Sequence, residues 1–136
     1  MADLADKKDI AVRSEGVRLL EWTYDFANDG GAVGKLDVAV ACEKVIIHRA
    51  WLKVDTLFTS AGAPTLSIGH SGSTVAVIIP VTALGALVDD AVLAETATPL
   101  NVVMDVDDIV QIDILVAAYT AGKATLVLEL SQLEEG

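Results

Sequence analysis

The chain contains one short motif that could carry a nucleophilic serine. The sequence of residues 69–73, GHSGS, is similar to the strand-to-helix turn of many hydrolases, in which a glycine stands two positions before and two positions after the nucleophile. Here Ser73 replaces the second glycine, the residues that follow are typical of a strand, and no histidine comes after Ser71 to act as a base. We therefore interpret the motif as a turn at the end of a hairpin, built from ordinary turn residues.

A group of aspartates is the second candidate for chemistry, because carboxylate oxygens are the ligands that Ca²⁺ prefers. The group comprises Asp89, Asp90, Asp105, Asp107, Asp108 and Asp113. Their spacing lacks the glycine and the terminal glutamate of a Ca²⁺-binding loop. We expect solvated turn carboxylates and no metal site, with a calcium site as the alternative.

No further constellation predicts catalysis or cofactor binding. The sequence has no Cys/His cluster with zinc spacing and no dinucleotide or P-loop fingerprint, and the glycines of residues 30–34 lack the following helix and basic residue that bind phosphate. His48 falls on the apolar face of a predicted strand, so we interpret it as a packed core or interface residue. These patterns predict a protein that is not an enzyme and that holds no cofactor.

The composition predicts one all-β domain. The 136 residues are 53% hydrophobic but only 4% aromatic, and β-branched residues together with 10 glycines favour strands and turns. A net charge of −11 argues against direct binding of nucleic acid or anionic lipid. Cys42 is the single cysteine, and we find neither a signal peptide nor an apolar run long enough to span a membrane. We therefore expect synthesis in a reducing cytoplasm and no membrane partner.

The element around which we expect the fold to be organised is a hairpin over residues 45–72. From residue 46 to residue 56 the even positions are mostly apolar and are predicted to face the core, His48 among them. The odd positions carry Arg49, Lys53 and Asp55, and Trp51 lies among these charges. The small residues 60–64, SAGAP, are typical of the turn between the two strands.

Further alternating segments predict the remaining strands. They cover residues 20–26, 36–40, 100–106, 110–118 and 126–130. Residues 74–81 are a nearly continuous apolar run, which predicts a strand that is buried on both faces or covered by a partner. Residues 83–97 are compatible with a helical turn or a long loop. About seven or eight strands without a long helix predict an antiparallel two-sheet sandwich that is jelly-roll-like. We expect residues 1–15 to form an N-terminal arm and residues 16–136 to form the sandwich domain.

Two segments resemble small all-β virion proteins of tailed bacteriophages, in particular capsid decoration (cement) proteins. They are VIIHRAWLKVDTLFTSAGAPTLSIG, residues 45–69, and AAYTAGKATLVLEL, residues 117–130. The resemblance is one of strands and turns over about residues 24–131, without a functional motif that would transfer site residues. It implies a protein that binds the major capsid protein on the exterior of the virion, often as a trimer or dimer.

The residues that we expect at such an interface are Trp51, Arg49 and Lys53, because aromatic and arginine side chains dominate protein contacts. The arm and the apolar residues 83–97 are further candidates. Intrachain packing is the alternative for each of them. Two other functions stay open: a tail, neck or fibre component of a phage, and a carbohydrate-binding β-sandwich.

Overall fold

Two facing β-sheets form the protein. The computed structural model describes residues 2–3, 18–71, 78–94 and 102–132. Its strands are β1 Ala2–Asp3, β2 Arg18–Asp25, β3 Gly34–Val40, β4 Val45–Thr59, β5 Thr65–His70, β6 Ile79–Ala83, β7 Val92–Ala94, β8 Val102–Met104, β9 Ile109–Leu115 and β10 Ala121–Gln132. The helical elements are α1, Phe26–Asp29, and a single 3₁₀ turn, Leu84–Ala86.

The strand order is that of a jelly roll. The first sheet has the order β1-β3-β9-β5-β6, and the second has the order β2-β10-β4-β7, with β8 also paired to β4. All neighbours are antiparallel except β1 and β3. The chain thus changes sheet at most connections, as two Greek keys require. This confirms the predicted antiparallel sandwich. The short strands β1 and β7 are those that alternation does not reveal, whereas β8 lies within the strand predicted over residues 100–106.

The core lies between the inner faces of the two sheets. Trp22, Leu52 and Leu126 project into it from the second sheet, and Ile68 and Ile112 from the first; all five are almost completely buried. Because successive strand residues point to opposite faces, the even positions from residue 124 to residue 130 of β10 are buried, while the odd positions between them are partly exposed. The alternation predicted for the last strand is therefore confirmed.

A β-bulge changes the predicted alternation of β4. Arg49 lies opposite Glu129, but Ile47 already lies opposite Leu130, so His48 is an extra residue on this strand. Before the bulge Ile47 is buried and His48 is half-buried, with its Nε2 atom 2.8 Å from Ser131 Oγ. The prediction of an even-numbered core face is correct from Ala50 to Val54. It is wrong before Ala50, because one added residue exchanges the two faces, and it is wrong at Thr56, which is exposed.

Three other segments differ from the expectation. Phe26 begins α1 because the Asp25 side chain accepts a hydrogen bond from Ala27 N and ends the strand. The strand predicted over residues 110–118 ends at Leu115. In residues 83–94 the 3₁₀ turn is followed by β7, and residues 95–97 lie outside the described residues, as do 72–77, 100 and 101.

The N-terminal arm is described only at Ala2–Asp3. These two residues pair in parallel with Leu36 and Asp37 at the edge of the first sheet. The rest of the predicted arm lies outside the described residues.

The strand predicted to be buried over residues 74–81 is described from residue 78 onward. It forms β6 at the edge of the first sheet, where Pro80 is tolerated and is exposed together with Val81.

Three aromatic rings close one end of the sandwich. Tyr24 stacks on Phe58 with ring centroids 5.7 Å apart, and Phe58 meets Tyr119 edge-on at 5.0 Å. Gly122 lies against Phe58, so closely that a Cβ atom there would come within 2.5 Å of the ring. The Tyr24 hydroxyl donates a hydrogen bond to Gly30 O, whereas the buried Tyr119 hydroxyl has no hydrogen-bond partner among the described residues.

The two tyrosines provide a matched pair of stability variants. We expect Tyr119→Phe to raise the free energy of unfolding by about 1 kcal/mol, because it removes an unsatisfied buried hydroxyl. Tyr24→Phe should lower it by about 1 kcal/mol, because it removes a satisfied one. Urea unfolding at pH 7 measures both, and a loss of stability in Tyr119→Phe would contradict the assignment.

The same pair predicts how stability depends on alkaline pH. Burial raises the pKa of Tyr119 to about 12 and, together with Asp29, raises the pKa of Tyr24 above its ordinary value. The unfolded chain deprotonates near the ordinary value of about 10, so the stabilisation is complete below that pH and is lost as the pH rises through 12. Urea midpoints should fall over this range, and less steeply in Tyr119→Phe; an equal slope would contradict the shift.

Candidate functional site

The residues predicted for the interface lie together on the outward side of the second sheet. Because Ala50, Leu52 and Val54 face the core, the residues between and before them project outward from β4. These are Arg49, Trp51 and Lys53. We call the surface that they form with the outward residues of β2, β10 and β7 the Trp51 face.

Trp51 is the half-buried aromatic residue at the centre of this face. Its Cα partners are Val127 on β10 and Ala94 on β7. The guanidinium carbon of Arg49 lies 5.1 Å from the centroid of the Trp51 ring, which is the distance of a cation–π contact. Arg49 also lies opposite Glu129, a cross-strand pair of opposite charges. One face of the indole is therefore covered by a cation.

Lys53 is held next to this centre by a polar contact. Its Nζ atom is 3.5 Å from Asp55 Oδ1, and Asp55 Oδ2 accepts a hydrogen bond of 2.7 Å from the Thr125 hydroxyl. The Lys53 side chain is 52% exposed, so this ion pair contributes little to stability. The ammonium group is accessible to a partner.

Apolar side chains surround the three predicted residues. Val92 of β7 lies beside Lys53 and is 58% exposed, and Leu19 of β2 lies opposite Glu129 and is 63% exposed. Sequence reasoning missed both, because their position depends on β7 pairing with β4 and on β2 pairing with β10. The apolar type of these two residues was the only signal in the sequence, and residue type does not show which strand lies beside them.

The charges on the Trp51 face are nearly balanced. The basic side chains are Arg49, Lys53 and Lys123, and the acidic ones are Glu21, Asp25, Asp55 and Glu129. The chain as a whole carries a net charge of −11, so most of the excess negative charge lies elsewhere. A sheet face with an aromatic centre, exposed aliphatic groups and both signs of charge has the composition of a protein contact.

The serine motif does not assemble a catalytic site in the described residues. Ser71 Oγ accepts a hydrogen bond of 2.9 Å from Ile109 N, and Ser71 N donates one of 2.9 Å to Ile109 O. The buried His70 ring is directed to Asp108, with Nδ1 3.4 Å from Oδ2. These contacts fasten the end of β5 to the start of β9, which is a structural role.

The fold places the aspartates in two turns and one strand. Asp108 accepts a hydrogen bond from Asp105 N within one turn, Asp89 accepts one from Leu57 N, and Asp113 is buried in β9. The expectation of solvated turn residues is thus wrong for Asp113, which lies inside a strand. Among the described residues no three His, Cys, Asp or Glu side chains could together hold a metal ion.

The described part of the chain has no helix of the length and apolarity that a membrane crossing needs.

Comparisons with known proteins give two structural neighbours. No family model matches the chain, and no curated protein matches its sequence. A chain in the solved capsid of Ralstonia phage GP4 superposes with a TM-score of 0.70 at 18% identity, covering 98% of this chain and 97% of that chain. A chain in the capsid asymmetric unit of cyanophage Pam1 gives 0.58 at 21% identity, covering 92% and 93%. At these identities the likeness is one of fold, and it extends over nearly the whole length of all three chains.

Proposed function

We propose that the protein is a non-enzymatic structural component of a tailed-phage virion that binds the exterior of the capsid as a decoration, or cement, protein. The observation that carries this proposal is the fold likeness to chains of two phage capsids. Because coverage is nearly complete on both sides, the chain and its neighbours have similar lengths. A single jelly roll of this size suits a subunit that is added to a shell.

Binding to the assembled shell explains how such a protein would act. A ligand that binds only one state stabilises that state by mass action, in proportion to the logarithm of its concentration over its Kd. The major capsid protein is the proposed partner. Synthesis in the host cytoplasm followed by attachment from outside agrees with the net charge of −11, which disfavours contact with packaged nucleic acid.

The Trp51 face is the proposed contact surface. Trp51 and Arg49 belong to the residue types that carry most binding energy at protein interfaces. The exposed aliphatic side chains of Val92 and Leu19 extend the apolar area beyond Trp51, and the balanced charges avoid repulsion of a partner of either sign. The hydrogen-bonded sheet provides a preorganised backbone beneath these side chains.

Two rival functions differ in what they predict for simple measurements. A tail, neck or fibre component would place labelled subunits away from the capsid in electron micrographs of particles. A carbohydrate-binding module would give signals on a glycan array, although Arg49 covers one face of the Trp51 ring that a sugar would stack on. The capsid proposal requires labels on the capsid and an empty array.

The first test of the proposal uses capsids that lack the protein. Added purified protein should co-sediment with them to a saturating stoichiometry and should raise the temperature at which they release their contents. The physical reason is selective binding to the intact shell. Protein that stays in the supernatant, over capsids of unchanged heat tolerance, would contradict the proposal.

The second test assigns the surface. We expect Trp51→Ala to weaken capsid binding at least about 30-fold, which corresponds to a hot-spot loss of about 2 kcal/mol, while the thermal unfolding of the free protein changes little. Lys53→Glu should also weaken binding. Its matched control is Lys44→Glu, which makes the same charge change in the loop between β3 and β4, away from the Trp51 face. Equal effects of the two reversals, or unchanged binding of Trp51→Ala, would remove the Trp51 face from the contact.

A further inference from the structure

The connection between β9 and β10 holds a valine in an unfavourable conformation. Val116 has a φ angle of 78°, and Ala117 N donates a hydrogen bond of 3.0 Å to Leu115 O across it. This is a γ-turn of the strained, positive-φ type, and a β-branched residue in that region is a true outlier. Such strain destabilises the folded chain and is most often retained at functional sites.

The same valine is exposed to water. At 75% it is the most exposed large hydrophobic residue in the described part of the chain. Leu115 before it is also exposed, and Val33 is exposed at the same end of the sheet, because Gly34 pairs with Ile114. A strained turn thus presents an apolar tip with apolar neighbours. No contact among the described residues compensates for its exposure.

A cavity of about 150 Å³ opens in the loop next to this tip. Its walls are the consecutive residues Asp29, Gly30, Gly31, Ala32, Val33, Gly34, Lys35 and Leu36. A cavity of about 150 Å³ is able to hold a benzene molecule, so it has room for the isopropyl group of a valine. The walls are mostly backbone and small apolar side chains, with one carboxylate and one ammonium group.

The tip and the cavity are fixed relative to each other. Tyr119, three residues after the tip, donates its backbone N–H to Gly31 O in the cavity wall at 2.8 Å. Gly31 packs so closely on Tyr119 that a Cβ atom there would lie 2.4 Å from Tyr119 O. Every subunit therefore carries an apolar projection and an apolar recess of matching size on adjoining, rigidly connected loops.

We propose that this corner is a self-association site, in which Val116 of one copy enters the cavity of residues 29–36 of a second copy. Because each copy carries both parts, the contact is satisfied reciprocally around a two-fold axis or repeated around a closed ring. One positive and one negative group line the recess, so bringing two corners together concentrates no excess of like charge, although the whole chain is strongly acidic. The strain at Val116 is then offset by burial in the partner.

Four variants test the proposal by sedimentation equilibrium of the free protein, without capsids. Wild-type protein should associate reversibly in the micromolar range. Val116→Asp, which charges the tip, and Ala32→Trp, which fills the recess, should each raise the dissociation constant at least tenfold. The matched control is Val106→Asp, an exposed valine in the turn before β9 and hence at the opposite end of that strand, which should associate like the wild type.

The variant Val116→Gly distinguishes a binding role of the Val116 side chain from the effect of its backbone strain. Glycine adopts positive φ without penalty, so this variant should raise the thermal midpoint of the monomer while still weakening association tenfold or more. If Val116 had only a structural role, association would be unchanged.

Mixing the two damaged variants gives the sharpest outcome. Val116→Asp retains an intact recess and Ala32→Trp retains an intact tip, so the mixture should form hetero-oligomers that neither variant forms alone. A wild-type monomer at millimolar concentration, or variants that associate like the wild type, would overturn the proposal. These outcomes are independent of capsid binding, so either proposal is able to fail without the other.

Discussion

The antiparallel pairing of β4 with β10 is the constraint on which both faces of the second sheet depend. Its register places Leu52 opposite Leu126 on the core side and Trp51 opposite Val127 on the outer side. A shift by one residue would bury the charged side chains and expose the aliphatic ones, at a cost of several buried apolar groups. The core thereby fixes the composition of the Trp51 face, and the residues of this face need no separate support.

The bulge at His48 interrupts the register of β4 with β10 just before Arg49. The regular register therefore covers the part of β4 that carries the Trp51 face. Beyond the bulge, from Arg49 to Lys53, the strand is regular and its outward residues stand in one row. Before the bulge, the odd-numbered residues of β4 face the core, and His48 contacts Ser131 on the outer side of the sheet. The extra residue separates the end of the sheet that pairs with β8 from the part that pairs with β7.

Features of the fold and of the Trp51 face that depend on neighbouring residues in the sequence were predictable, whereas features that depend on pairing between distant strands were not. Strict alternation reports which face of a strand is buried, so the sandwich, the core residues of β10 and the outward position of Trp51 followed from the pattern. Alternation does not report which strands are neighbours, so Val92 and Leu19 were not assigned to the site. Alternation also fails where a bulge adds one residue and exchanges the two faces of the strand, as at His48, or where a strand ends earlier than the apolar pattern. Val116 continues the apolar alternation of β9, and only its backbone conformation shows that the strand has ended.

Two different surfaces are proposed for two different contacts: the Trp51 face for the shell, and the strained corner at Val116 for a second copy. The central proposal is that the outer face of the second sheet meets a phage capsid. Electron cryomicroscopy of capsids decorated with the purified protein tests this most directly. The account predicts one jelly roll per binding site on the outer surface, with Trp51 turned toward the shell; density that is absent from the capsid, or that contacts it through the first sheet, would contradict it.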